Sequence, residues 1–195
     1  FKNINDSLGH QLGDRLLQSV SSRILACVRE GDTVSRVGGD EFVIVIPSIE
    51  SAADASSVAS KILEVLANVF HLQGNDLHVA ASIGISLYPS DGADAETLMR
   101  NADTAMYFAK ENGRNNWRFF SAEMNQRAQE RLSIENYLRL ALRRGELVLH
   151  YQPRIRMADG ALTGVEALVR WSHPRRGLLD PGKFIDVAED SGLIV

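Results

Sequence analysis

Arg36-Val37-Gly38-Gly39-Asp40-Glu41-Phe42 places two glycines and two carboxylates between runs of alternating apolar residues, which is the composition of a hairpin tip. Glycine has no Cβ and tolerates positive φ, so such a tip turns sharply and lets backbone N–H groups approach phosphate oxygens. Asp40 and Glu41 then offer hard oxygen ligands for Mg²⁺, a cation that takes one or two carboxylates together with substrate phosphates. The same tetrapeptide also reads as a plain type I′ turn carrying solvated acids. By itself the tip leaves both readings open.

On either side, residues 33–37 and 42–46 are β-rich, and Pro47 closes the second run. Upstream, Leu17, Val20, Ile24 and Val28 recur at helical spacing after Asp14, with Arg29 in the expected last turn and Gly31 as the stop. Downstream, residues 52–70 carry Val58, Ile62, Val65, Leu66 and Val69 on one helical face, and Leu77, Val79, Ala81, Ile83 and Ile85 alternate as a strand. Residues 95–111 read as a helix with a candidate break near Asn101, stopped by Asn112-Gly113, and residues 117–120 as a strand. Helices interleaved with antiparallel strands predict an α/β sandwich with a packed sheet.

Residues 122–144 are polar and helical, with Ile134, Tyr137, Leu138, Ala141 and Leu142 as one apolar stripe, and read as a linker passing into the first helix of a second domain. Residues 147–153 and 162–171 are strands around an Asp159-Gly160 turn, and 181–190 begins another helix.

With 195 residues, 45% hydrophobic and 24% charged, the chain has the composition of one or two globular domains. A net charge of −4 argues against nucleic acid or an anionic membrane as partner, so any phosphate would be held by local Lys and Arg. The single cysteine, Cys27, forms no internal disulfide and reads as a small core residue in a reducing cytosol. No apolar stretch approaches the ~18 residues of a membrane span. The expected location is cytoplasmic, any anchor lying outside this segment.

The tip does not stand alone. Residues 1–14 read Phe1-Lys2-Asn3-Ile4-Asn5-Asp6-Ser7-Leu8-Gly9-His10-Gln11-Leu12-Gly13-Asp14, and later come Ser82-Ile83-Gly84-Ile85-Ser86, Asn101-Ala102-Asp103 and Ala109-Lys110-Glu111-Asn112-Gly113-Arg114-Asn115. In this order they closely resemble the GGDEF family of diguanylate cyclases, which join two GTP molecules into cyclic di-GMP. The resemblance implies a domain over 1–120 like a nucleotide-cyclase palm, with a central, mainly antiparallel sheet flanked by helices. It further implies Mg²⁺ or Mn²⁺ as cofactor and a homodimer whose two GTP sites face each other.

Residue by residue, the resemblance makes Asp40 a metal ligand and proton acceptor, Glu41 its partner on the metal, and Gly38 and Gly39 the phosphate-approaching backbone. Asn5 and Asp14 match the guanine-reading pair; guanine presents both donors and acceptors, which an amide and a carboxylate complement. On residue type alone, Asn5 reads as a turn residue and Asp14 as a helix cap. His10 matches a further motif position. Lys110 and Arg114, four apart at a helix end, match the pair holding the terminal phosphates, and they also suit the helix dipole. Arg29 and Asp32 match the RxxD inhibitory site, where product guanine would be clamped. The family's first metal ligand, an Asp three residues before the position of Phe1, is not in this sequence, so the expectation is an incomplete first site in an excerpt of a larger protein, inactive alone.

Tyr151-Gln152-Pro153, Gly164-Val165-Glu166-Ala167-Leu168-Val169-Arg170-Trp171, His173-Pro174 and residues 181–194 resemble the opening of an EAL domain, the cyclic di-GMP phosphodiesterase family. This implies linker and first helix over 121–144, then over 145–195 the start of a TIM-like barrel, which needs about 250 residues in full. Glu166 matches a metal ligand, and Gln152, Leu168 and Arg170 match positions contacting the dinucleotide. Function then divides between cyclic di-GMP turnover, with the remaining EAL ligands beyond Val195, and a GTP- or cyclic di-GMP-binding module that regulates the phosphodiesterase. A dimerising scaffold built on the 122–144 helix is a third reading.

Overall fold

The computed structural model describes residues 1–194, with every side chain but those of Lys2 and Asn3. Val195, the last residue of the second expected domain, lies outside them. The chain divides into two compact units, residues 1–125 and 126–195.

In the first unit, α1 (Lys2–Leu8) and α2 (His10–Leu25) meet at Gly9, whose φ of +86° breaks the helix between them. Leu12, Leu16, Val20 and Ile24 are spaced at i+4 and buried, so one face of α2 enters the core. Ile62 and Leu66 of α3 (Ala52–Ala67), together with Cys27, Phe70 and Leu77, complete that core. Each such fully buried Leu or Ile contributes about 1.5–3 kcal/mol. Arg23 fastens the two helices: its guanidinium donates to the carbonyls of Val65, Asn68 and Val69 at 2.8, 2.6 and 2.8 Å and lies 3.5 Å over the Phe70 ring.

The expected end of α2 at Gly31 is not observed. The helix stops at Leu25, with Val28 and Arg29 beyond it; Cys27 N donates to Ile24 O at 2.9 Å in a tightened last turn, and the buried Cys27 donates its Sγ–H to Arg23 O. The single strand expected across Leu77–Ile85 is also divided. β3 (Phe70–Leu72) and β4 (Asn75–Leu77) make their own hairpin, and β5 (Ser82–Ile85) starts after four intervening residues. Gln73 and Gly74 both have positive φ, +51° and +80°, the two left-handed central residues of a tight hairpin turn.

The hairpin around the glycines forms as expected, β1 (Thr33–Gly38) pairing antiparallel with β2 (Glu41–Val45). α4 (Ala95–Glu111) is capped by Asp94, which accepts from Thr97 N at 2.8 Å. It passes through Asn101 without a break, because Asn101 Nδ2 finds an acceptor outside the helix, Asp91 O at 2.6 Å. α4 lies directly on β5: a Cβ on Gly84 would overlap Ala102 O and Met106 N, so this strand position admits only glycine. β6 (Asn116–Phe119) pairs with β5 in parallel. Antiparallel pairing therefore prevails without being universal, and the strands of this unit associate in twos.

In the second unit, Ile134, Leu138 and Ala141 of α5 (Ala122–Arg144) pack with Trp171, Phe184, Val187 and Ala188, while Leu142, expected on the same stripe, is half exposed. β7 (Leu147–Ile155), β8 (Leu162–His173) and β9 (Gly177–Leu179) form an antiparallel meander. Among the described residues of this unit every strand pairing is antiparallel. The helix expected over 181–190 is a short 3-10 turn, Pro181–Lys183, followed by α6 (Ile185–Asp190).

Candidate functional site

At the β1–β2 tip, Gly39 has a φ of +51° and Asp40 does not, whereas a type I′ turn requires positive φ at both central residues. Arg36 Nε donates to Gly39 O at 2.8 Å and braces the turn from outside. Asp40 and Glu41 are exposed, and no hydrogen bond or ion pair engages their carboxylates among the described residues. Two free hard-oxygen donors beside a glycine turn suit a divalent cation shared with phosphate. Among the described residues no group of three or more His, Cys, Asp or Glu side chains could hold a metal by itself.

Asn5 and Asp14 lie in helices, Asn5 in α1 and Asp14 at the fifth residue of α2. Neither alternative suggested by residue type applies: Asn5 is not in a turn and Asp14 caps nothing. Asn5 Oδ1 is buried without a hydrogen-bond partner and lies over Gly13, where a Cβ would overlap it. An unpaired buried acceptor is costly. Asp14 is exposed one residue further along, and His10 is exposed at the start of α2. Ile4 next to Asn5 and Phe42 next to Glu41 pack against the same α2–α3 core, so the base-reading candidates and the hairpin share one support.

Lys110 and Arg114 do not form the helical i,i+4 pair expected of them. α4 ends at Glu111, and the chain continues through Gly113, Arg114 and Asn115 with φ of +96°, +55° and +48°. Lys110 keeps its place in the last helical turn, and both cations are exposed. No hydrogen bond or ion pair among the described residues links them to Asp40 or Glu41.

Arg29 and Asp32 form a tight turn rather than a helix end: Arg29 N donates to Asp32 Oδ2 at 2.9 Å and Asp32 N to Arg29 O at 3.0 Å. Part of the Asp32 carboxylate is thereby engaged by backbone.

In the second unit, Gln152 stands opposite Glu166 in the β7–β8 register, and Leu168 and Arg170 follow Glu166 at intervals of two. All four therefore point to one face of the meander. Arg170 is held there by Asp180, Nε to Oδ1 3.0 Å, a partner that sequence alone did not indicate. Gly13 was missed as well. Its signal was available, since a glycine inside a helical pattern costs about 1 kcal/mol and asks for a packing reason.

Residues 1–116 match the family described as diguanylate cyclase, GGDEF domain, and residues 135–195 match the EAL domain family. Over its whole length the chain is 50% identical to the bifunctional diguanylate cyclase/cyclic di-GMP phosphodiesterase MucR of Pseudomonas aeruginosa, of which it covers 28%. It is 46% identical to the cyclic di-GMP phosphodiesterase PdeR of Escherichia coli, covering 29% of that protein. The chain thus spans about a quarter of the length of the curated relatives it matches. Among solved structures, the GGDEF domain of TpbB or YfiN from Pseudomonas aeruginosa superposes with a TM-score of 0.64 at 36% identity, covering 66% of this chain and 75% of that one. The GGDEF domain of DgcB from Caulobacter crescentus, solved in complex with c-di-GMP, gives 0.54 at 29% identity, covering 60% and 70%. Among the described residues no helix is long and apolar enough to cross a membrane. The chain belongs to the GGDEF family of diguanylate cyclase domains and runs on into an EAL domain, the pairing found in proteins of cyclic di-GMP signalling.

Proposed function

We propose that the GGDEF unit, in the full-length protein, condenses two molecules of GTP into cyclic di-GMP. The observation that carries this reading is the β1–β2 tip, where Asp40 and Glu41 stand free of protein partners beside a left-handed glycine. In each half-reaction a ribose 3′-oxygen attacks the α-phosphorus of the other GTP; the bond to the β-phosphate oxygen breaks and pyrophosphate leaves. Two such steps close the ring, and each subunit of a homodimer contributes one GTP.

Asp40 accepts the proton of the 3′-hydroxyl, and Gly38 and Gly39 let the backbone approach the phosphates. Asn5 reads guanine through its carboxamide, Asp14 takes the neighbouring donors, and Lys110 and Arg114 hold the terminal phosphates. His10 borders the same segment. Mg²⁺ or Mn²⁺, held by Asp40 and Glu41 together with the phosphates, would neutralise developing charge and acidify the attacking hydroxyl. The Arg29–Asp32 turn is the candidate site for inhibition by product. In the EAL unit the shared face of Gln152, Glu166, Leu168 and Arg170 serves hydrolysis of cyclic di-GMP, with Glu166 as a metal ligand.

A second reading has the GGDEF unit bind GTP or cyclic di-GMP and regulate the phosphodiesterase. It is favoured by relatives at 45% and 46% identity that are named as phosphodiesterases alone. Incubating the full-length protein with Mg²⁺ and GTP, and separately with cyclic di-GMP, and identifying nucleotides chromatographically separates the two. Cyclic di-GMP formed from GTP and lost by at least about a hundredfold in Asp40→Asn supports the cyclase. Hydrolysis of cyclic di-GMP without any synthesis supports the regulatory module.

A further inference from the structure

The loop that carries Arg114 runs against backbone preference. Gly113 takes the left-handed region freely, but Arg114 and Asn115 follow it there with φ of +55° and +48°, a conformation that a Cβ disfavours. Two arrangements oppose that cost. Arg114 N donates to Ala109 O at 3.2 Å, closing the end of α4. The carboxamide nitrogen of Asn116 lies 3.0, 3.1 and 2.9 Å from the carbonyl oxygens of Ala109, Asn112 and Arg114. One side-chain amide thus ties the last helical turn, the cap residue and the arginine's own carbonyl. This orientation is the one the network favours, because a flipped amide would turn its oxygen towards three other oxygens, and it leaves Asn116 Oδ1 buried without a partner. Asn116 is itself anchored as the first residue of β6, in register with Ser82 of β5.

We propose that Asn116 is a positioning residue for Arg114, holding the left-handed loop so that the guanidinium meets the terminal phosphates of GTP beside Lys110. The proposal rests on the reading of Arg114 as a phosphate ligand. Asn116 makes no contact with nucleotide; it sets the backbone from which Arg114 projects, and so acts on the phosphate end of the ligand and not on the base.

The test measures binding of 3′-deoxy-GTP, which cannot cyclise, and of guanosine, which has no phosphate, to the full-length protein in Mg²⁺. The proteins compared are wild type, Asn116→Ala, Arg114→Ala and the double variant. We expect Asn116→Ala to weaken 3′-deoxy-GTP about tenfold and leave guanosine unchanged, with no further loss when it is added to Arg114→Ala. Asn116→Asp keeps the side-chain shape and removes the donor; it gives the same pattern where the alanine variant does not fold. The proposal is overturned by an unchanged triphosphate affinity, by an equal loss for guanosine, or by a loss that persists in the Arg114→Ala background. The underlying reading fails separately if Arg114→Ala leaves 3′-deoxy-GTP binding intact.

Discussion

Asn5 and Gly13, eight residues apart on consecutive helices, are matched: the carboxamide oxygen of the first lies where a β-carbon of the second would stand. Gly13→Ala removes a helix-interior glycine, which by propensity alone gains about 1 kcal/mol. It also drives Asn5 from its place. We expect stability to be kept while the preference for GTP over ATP narrows about tenfold, the worth of one lost hydrogen bond to the base. Competition binding alongside a thermal melt checks both halves, and a loss of stability with selectivity intact would contradict the assignment.

Arg23 joins three carbonyls and the Phe70 ring with a single planar group. Lysine keeps the charge and loses the fork. Arg23→Lys is expected to destabilise the first unit by about 1–3 kcal/mol, read as a lower urea midpoint at unchanged slope.

The caps of α3 and α4 respond to acid. Asp54 accepts backbone N–H bonds from Ser51 and Glu50, and Asp94 accepts from the N–H and hydroxyl of Thr97, which holds both carboxyls below their ordinary values. Their contribution is present above the unfolded value of about 3.9 and is lost as pH falls through the lower folded value. The melting temperature of the first unit should therefore fall in that acid range. An asparagine side-chain oxygen accepts such bonds without titrating, so replacing both with Asn should flatten the fall.

His173 gives the second unit a different window. It is buried between the Tyr137 and Trp171 rings, its Nδ1 accepts from the backbone of Arg175 and Arg176, and its Nε2 has no partner. Burial, reinforced by Arg176 against an opposing Glu146, lowers its affinity for a proton. The unfolded chain takes up that proton below about pH 6.5 and the folded chain resists, so stability falls as pH drops from there towards the lower folded value. In a variant whose other tryptophans are replaced by Phe, the fluorescence of Trp171 reports the urea midpoint, and His173→Asn should remove this dependence.

Elements set by neighbours in sequence were legible without the structure. The glycine hairpin followed from turn chemistry between two β-rich runs, α2 and α3 from apolar residues three and four apart, and the end of α4 from the Asn112-Gly113 stop. Other ends were less legible: α2 stops at Leu25, where Cys27 N turns back to Ile24 O, and the 77–85 run divides because Gln73 and Gly74 make a separate hairpin. The identity of the site candidates was carried by motif order. Their local settings were not.

Sequence by itself determined the family, the hairpin with its two acids and the helical scaffold, because periodicity and turn propensity act over a few residues. Only the tertiary structure decided that Asn5 keeps an unpaired acceptor over Gly13, that Arg114 stands on a left-handed loop clasped by Asn116, and that Arg170 is met by Asp180. Each of these pairings joins side chains and backbone on different elements or beyond a helix end, and no local preference specifies them; they exist once burial has brought those elements together.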